Sequence, residues 1–132
     1  MTLRNESIRR YRGYGLVDVA DAYEVRPQNG SDVAQAFELA RQSGRTVCLR
    51  GQGRSYGDAS LAAEQITLDL TDLKQVVSWD PVLGILEAEA GLTIAELVAH
   101  CLPSGWWCPV VPGTAQVTLG GALAMNVHGK NQ

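Results

Sequence analysis

Residues 50–58 read Arg50-Gly51-Gln52-Gly53-Arg54-Ser55-Tyr56-Gly57-Asp58. Three glycines fall within seven positions, directly after the apolar-tending run Thr46-Val47-Cys48-Leu49. A buried strand that runs into so bendable a loop makes a nest of backbone N–H groups. Glycine lets such a loop take positive φ and approach a ligand closely. Arg50 and Arg54 add positive charge and Ser55 a hydroxyl donor, so the natural guest is an anion, a pyrophosphate above all. Two familiar phosphate motifs fail. A Walker loop ends Gly-Lys-Ser/Thr, whereas this one has Gly-Arg-Ser. A dinucleotide fingerprint needs G-x-G-x-x-G opening a helix, and the third glycine here is one position late. From this loop alone, a structural turn and an anion cradle stand level.

The rest of the chain places the loop. Ser31-Asp32-Val33 begins a helix, capped by Ser31 or Asn29, with Asp32 at the positive end of its dipole. Val33, Ala36, Phe37 and Ala40 form its apolar stripe, and Gly44 stops it. Residues 46–50 are a strand. Ile66-Thr67-Leu68-Asp69-Leu70 alternates and is another. Residues 75–79 and 85–90 form a hairpin around Asp80-Pro81 and Gly84. Thr93 caps a further helix, with Glu96 three residues on as a capping box. Its apolar face is Ile94, Leu97, Val98 and Cys101, and Pro103 and Gly105 end it. Residues 1–24, with Arg4, Arg9, Arg10 and Arg12, read as a solvated N-terminal arm. Residues 25–132 then form the folded domain. Tyr23 to Arg26, before Pro27, is a short extended piece.

A second loop, Pro112-Gly113-Thr114 with Thr118-Leu119-Gly120-Gly121, precedes the helix start expected at Ala122–Val127. Helix N-termini favour anions, and two such loops suggest one extended, phosphate-bearing ligand such as a dinucleotide.

The 132 residues set a prior of one domain, and 45% hydrophobic with 19% charged is a globular balance. A net charge of −3 argues against a nucleic-acid partner. No apolar run reaches membrane-spanning length. The basic start lacks the apolar segment of a secretory signal. Cys48, Cys101 and Cys108 are an odd count without a CxxC pair. They read as thiols of a cytoplasmic protein rather than disulfides or metal ligands. Trp106-Trp107 reads as core and His100 as an ordinary helix residue. Asp58 fixes its loop by side-chain to backbone bonds. Asp69, Asp72 and Asp80 are strand-end and turn carboxylates, and no catalytic acid–base pair can be named.

Four ordered motifs now carry a resemblance: Arg50 to Asp58, Pro112-Gly113-Thr114, Val117 to Ala122, and His128-Gly129-Lys130-Asn131. Together they resemble the FAD-binding PCMH-type domain of vanillyl-alcohol-oxidase-class flavoenzymes, and in particular the decaprenylphosphoryl-ribose oxidase branch. Arg12-Gly13-Tyr14-Gly15 is similar to a Gly-aromatic-Gly element near the start of that branch. The resemblance implies FAD as cofactor and a sugar or polyol hydroxyl as the substrate class. It implies that Leu49, Arg50, Gly51, Gln52, Gly53, Arg54, Ser55, Tyr56, Gly57, Asp58 and Ala59 wrap the pyrophosphate. Gly113, Thr118, Leu119, Gly120, Gly121, Met125, Asn126, Val127 and His128 then line the remaining contacts. Members that attach FAD covalently do so through a histidine in the first loop. Arg54 stands there in this chain, so FAD is expected to be held non-covalently.

The expected fold is α+β, a small mixed sheet flanked by helices. The family carries its substrate domain after the last motif, so the chain reads as the front part of a longer protein, inactive alone. Two alternatives remain open. One is a truncated module that self-associates through an exposed apolar face or awaits a partner chain. The other is a phosphate-binding module for a different nucleotide.

Overall fold

The computed structural model describes residues 8–129 and divides at Asp72 into two compact units. In the first, β1 (Ile8–Arg12), β2 (Val19–Val25), β3 (Val47–Arg50) and β4 (Ile66–Asp69) form one mixed sheet in the order β1-β2-β4-β3. β1 is antiparallel to β2, while β2 and β3 both run parallel to β4. α1 (Gly30–Ser43) makes the connection from β2 to β3. β4 is buried along its whole length, as the central strand of a sheet should be. Ile66 and Leu68 pack with Val25 of β2 and with Ala36, Leu39 and Ala40 of α1. Register puts Glu24 and Cys48 beside Thr67, and Arg50 beside Asp69, on the other face.

The α1 boundaries follow from local chemistry. Asn29, not Ser31, is the N-cap, and its side chain accepts from Asp32 N. Gly44 closes the helix in the left-handed conformation at φ 65. Phe37, expected in the apolar stripe, is half-exposed, and Leu39 takes the buried place. The buried stripe is thus Ala36, Leu39 and Ala40.

Residues 8–24 are not an arm. They supply two strands, and in β2 the buried Ala20 and Ala22 alternate with exposed Val19 and Asp21, while Val25 is buried at its end. The basic residues there are ion-paired across the ladder, Arg9 with Glu24 and Arg10 with Asp21. Residues 1–7 of the expected arm lie outside the described residues.

The second unit begins with the antiparallel hairpin β5 (Val76–Asp80) and β6 (Ile85–Ala88), which carries a bulge between Val76 and Ser78. α2 (Ile94–Cys101) follows, then a 3₁₀ turn at Leu102–Ser104 and α3 (Leu119–Ala124). Thr93 and Glu96 form the expected capping box. Thr93 and Thr118, each an N-cap, are paired with one another. Ile94 N donates to Val117 O at 2.9 Å and Leu119 N to Leu92 O at 2.8 Å, which laces the starts of the two helices together. Trp106 is not core. It remains 38% exposed, its ring covers Gly84 and its Nε1 donates to Pro81 O. Trp107 is more exposed still. Among the described residues no helix is long and apolar enough to cross a membrane.

Candidate functional site

The glycine loop leaves β3 at Arg50 and returns to β4 at Ile66. Gly53 and Gly57 take φ of 61 and 60, the left-handed region where a side chain is strained. Among the described residues, no backbone N–H from Gly51 to Ala59 is donated to a protein acceptor. A run of unpaired N–H groups on a glycine-rich turn is what an anion nest requires. Tyr56 projects outward at 77% exposure.

Arg50 was expected to offer its charge to the ligand. Its guanidinium is instead engaged by the protein. Nη1 donates to Ser60 O at 3.1 Å and to Ser60 Oγ at 3.0 Å, and Nη2 donates to Arg12 O at 2.8 Å. The group lies over the Tyr11 ring, 4.8 Å from its centre. Burial lowers the Arg50 pKa, opposed by Tyr11 and Asp69. Burial and the hydrogen bond to Glu24 raise that of Tyr11.

The Gly-aromatic-Gly element meets this loop. Tyr14 N donates to Ser55 O at 3.1 Å, so the carbonyl of Ser55 is tied down. Gly13 lies so near Gly57 O that a Cβ would collide with it. Tyr14 and Tyr56 meet edge to face at 5.4 Å, and Arg54 sits over the Tyr14 ring at 5.8 Å. Asp58 contributes its backbone carbonyl, which accepts from Leu61 N at 2.8 Å; no side-chain bond of it is seen among the described residues. Leu49 is exposed at the end of β3. Beside Gly51 and Gln52 opens a polar pocket of about 400 Å³, with Arg9, Arg26, Arg50, Asp69 and Thr71 among its walls.

In the second unit the glycines act differently from expectation. Gly120 and Gly121 do not precede a helix but lie in the first turn of α3. Their N–H groups are already donated, to Ala90 O at 2.8 Å and to Thr118 Oγ1 at 3.2 Å. A Cβ on Gly120 would stand 3.0 Å from Ala90 Cβ, so its smallness serves close packing. Gly113 is exposed with open space around its Cα. Met125 caps α3, and Asn126 turns the chain at φ 45 so that Val127 N reaches Ala122 O. Met125, Asn126 and His128 are exposed. Lys130 and Asn131 of the last motif lie outside the described residues.

Comparison with known proteins decides the family. The profile of the FAD binding domain matches residues 22–132. The chain belongs to this FAD-binding family. Its cofactor is FAD, and its relatives are FAD-linked oxidoreductases. It is 41% identical over 92 residues to the decaprenylphosphoryl-beta-D-ribose oxidase of Mycolicibacterium smegmatis, covering 70% of this chain and 20% of the oxidase. It is 31% identical over 113 residues to the UDP-N-acetylenolpyruvoylglucosamine reductase of Myxococcus xanthus, covering 81% of this chain and 35% of the reductase. The fold resembles a solvent-stable cholesterol oxidase with a TM-score of 0.79 at 23% identity, over 98% of this chain and 27% of that one. The cholesterol oxidase of B. sterolicum gives a TM-score of 0.75 at 20% identity, over 92% of this chain and 24% of that one. The chain thus spans about a fifth to a third of the length of these relatives.

The first loop fits an FAD pyrophosphate. Its N–H groups have no protein acceptor among the described residues, and its two left-handed glycines leave the backbone bare. Sequence reasoning missed Tyr11 and Ser60, which meet the Arg50 guanidinium at the loop's base. No local signal marks Tyr11, because its place is set by the pairing of β1 with β2.

Proposed function

We propose that this chain is the pyrophosphate-holding portion of an FAD-dependent oxidoreductase that oxidises a sugar or polyol hydroxyl, with FAD held non-covalently. The observation that carries the reading is the run of backbone N–H groups from Gly51 to Ala59 without a protein acceptor among the described residues. Such groups, fixed before the ligand arrives, stabilise phosphate oxygens without reorganisation. FAD, when bound, supplies the acceptor for a hydride from the substrate carbon.

The chain's own residues then hold and orient. Leu49 to Ala59 wrap the diphosphate. Gly113, Thr118 to Gly121, and Met125 to His128 line other parts of the cofactor. Since the Gly120 and Gly121 N–H groups are occupied, this second set works through shape and through side chains such as His128 rather than as an anion cradle. The loop holds no histidine, and Arg54 cannot form a flavin bond. The substrate class rests on the name of the 41% identical oxidase.

Titration of the chain with FAD, followed by quenching of flavin fluorescence, tests the reading. Saturable binding that Gly53→Val abolishes is expected, with FMN and ATP competing poorly. ATP displacing FAD overturns the choice of ligand. After acid precipitation all flavin should stay in the supernatant; flavin pelleting with the protein overturns the non-covalent reading.

A further inference from the structure

Arg50 heads the glycine loop, and its guanidinium donates to the protein at three points. The Nη1 and Nη2 groups bond to Ser60 O, Ser60 Oγ and Arg12 O at 3.1, 3.0 and 2.8 Å. Ser60 lies just past the glycine run, within the connection to β4, and is itself buried. Arg12 ends β1. One planar group therefore joins the loop's entrance, a point beyond its glycine run and the end of the opposite edge strand. Gly53 sits directly against it, where a Cβ would fall on Nη2. The aromatic face of Tyr11, only 5% exposed, backs the guanidinium at 4.8 Å.

We infer that Arg50 is the positioning residue of the cofactor loop, a fork that closes the loop's base and docks it on β1, and not a charge contact to the cofactor's phosphates. The role needs the fixed geometry of a guanidinium. An ammonium on the same stem is a point charge and cannot span three separate acceptors in one plane. The glycine at position 53 then has a second reason beyond its φ, which is to leave room for the fork. This inference rests on the FAD-binding reading above.

Arg50→Lys and Arg50→Met distinguish the two roles. A positioning fork predicts that both variants weaken FAD binding alike, by about tenfold or more, because an unfixed loop must be ordered on binding. It also predicts a readout without cofactor. The amides of Tyr14 and Leu61 donate to Ser55 O and Asp58 O, so they report whether the loop is docked. Their hydrogen exchange should accelerate in both variants, while the amides of β4 stay protected. Ser60→Ala, which removes one acceptor and leaves the sheet intact, should show the same pattern more weakly; it serves if either Arg50 variant fails to fold.

A lysine variant that binds FAD like the parent while the methionine variant does not means Arg50 acts by charge, and overturns the inference. Unchanged exchange at Tyr14 and Leu61 in all variants overturns it as well. A parent chain that binds no FAD counts against the functional reading, and the exchange measurement still decides the role of the fork.

Discussion

Gly53 and Gly57 make a matched pair for testing the loop. Both occupy the left-handed region, at φ 61 and 60. Alanine in that region costs roughly 1–2 kcal/mol relative to glycine. At Gly57 nothing lies within 4 Å of the added Cβ, so strain is the whole penalty. At Gly53 the Cβ would land on the Arg50 guanidinium, with Cζ at 2.9 Å, and must displace it. Losing one charged hydrogen bond of a half-buried group adds about 2 kcal/mol. The loss for Gly53→Ala should therefore be about 3–4 kcal/mol, against about 1–2 kcal/mol for Gly57→Ala. The stiffening of the unfolded chain by alanine enters both and cancels in the difference. Urea unfolding followed by circular dichroism measures it. In an Arg50→Met background the two penalties should converge, since the obstacle is gone, leaving a coupling of about 2 kcal/mol. Equal losses in the parent background, or an unchanged difference in the Arg50→Met background, refute the account of why residue 53 is glycine.

Two further outcomes follow from the scaffold. Leu68, fully buried in the central strand between α1 and its neighbours, should lose about 2–5 kcal/mol on truncation to alanine, read by the same urea midpoint. Glu96 is held below its ordinary value of 4.5, first by the Thr93 N–H, then by the Thr93 hydroxyl and Lys74. Its stabilising contribution is thus present above that value and is lost as pH falls through the lowered folded value. Glu96→Gln should flatten the acid limb of the stability–pH curve below pH 4.5, and a limb of unchanged slope counts against the capping box as a source of acid sensitivity.

The elements with local signatures were legible in the sequence. The Thr93–Glu96 box, the Gly44 stop, the strand before the glycine loop and the 75–90 hairpin depend on residues close together in the chain. What escaped was non-local. β1 and β2 looked like an arm because Arg9, Arg10 and Arg12 are charged, and their partners Glu24 and Asp21 lie across the ladder. An edge strand with one solvated face tolerates that charge. Phe37 looked like core because helical spacing fixes a stripe only to within a residue, and the side chain that won, Leu39, lies on the flank facing the sheet. Trp106 looked like core by composition, whereas it closes over Gly84 in a pairing that spacing cannot show.

The candidate site shows the same division more sharply. The glycines of the first loop could be read because positive φ and bare backbone are properties of glycine itself. The part of Arg50 could not, because the acceptors that claim its guanidinium are a serine ten residues later and a carbonyl from the edge strand. Charge adjacent to an anion loop suggests a ligand contact, yet three of the five guanidinium N–H groups are already donated to Ser60 and Arg12. On the proposed reading, the N–H groups of residues 51–59, which have no protein acceptor among the described residues, carry the anion alone, provided something holds them in place. That separation of duties explains why the loop can dispense with side chains at its glycines. On the proposed reading, recognition falls to the backbone, and rigidity is supplied from behind by Arg50, Tyr11 and Ser60.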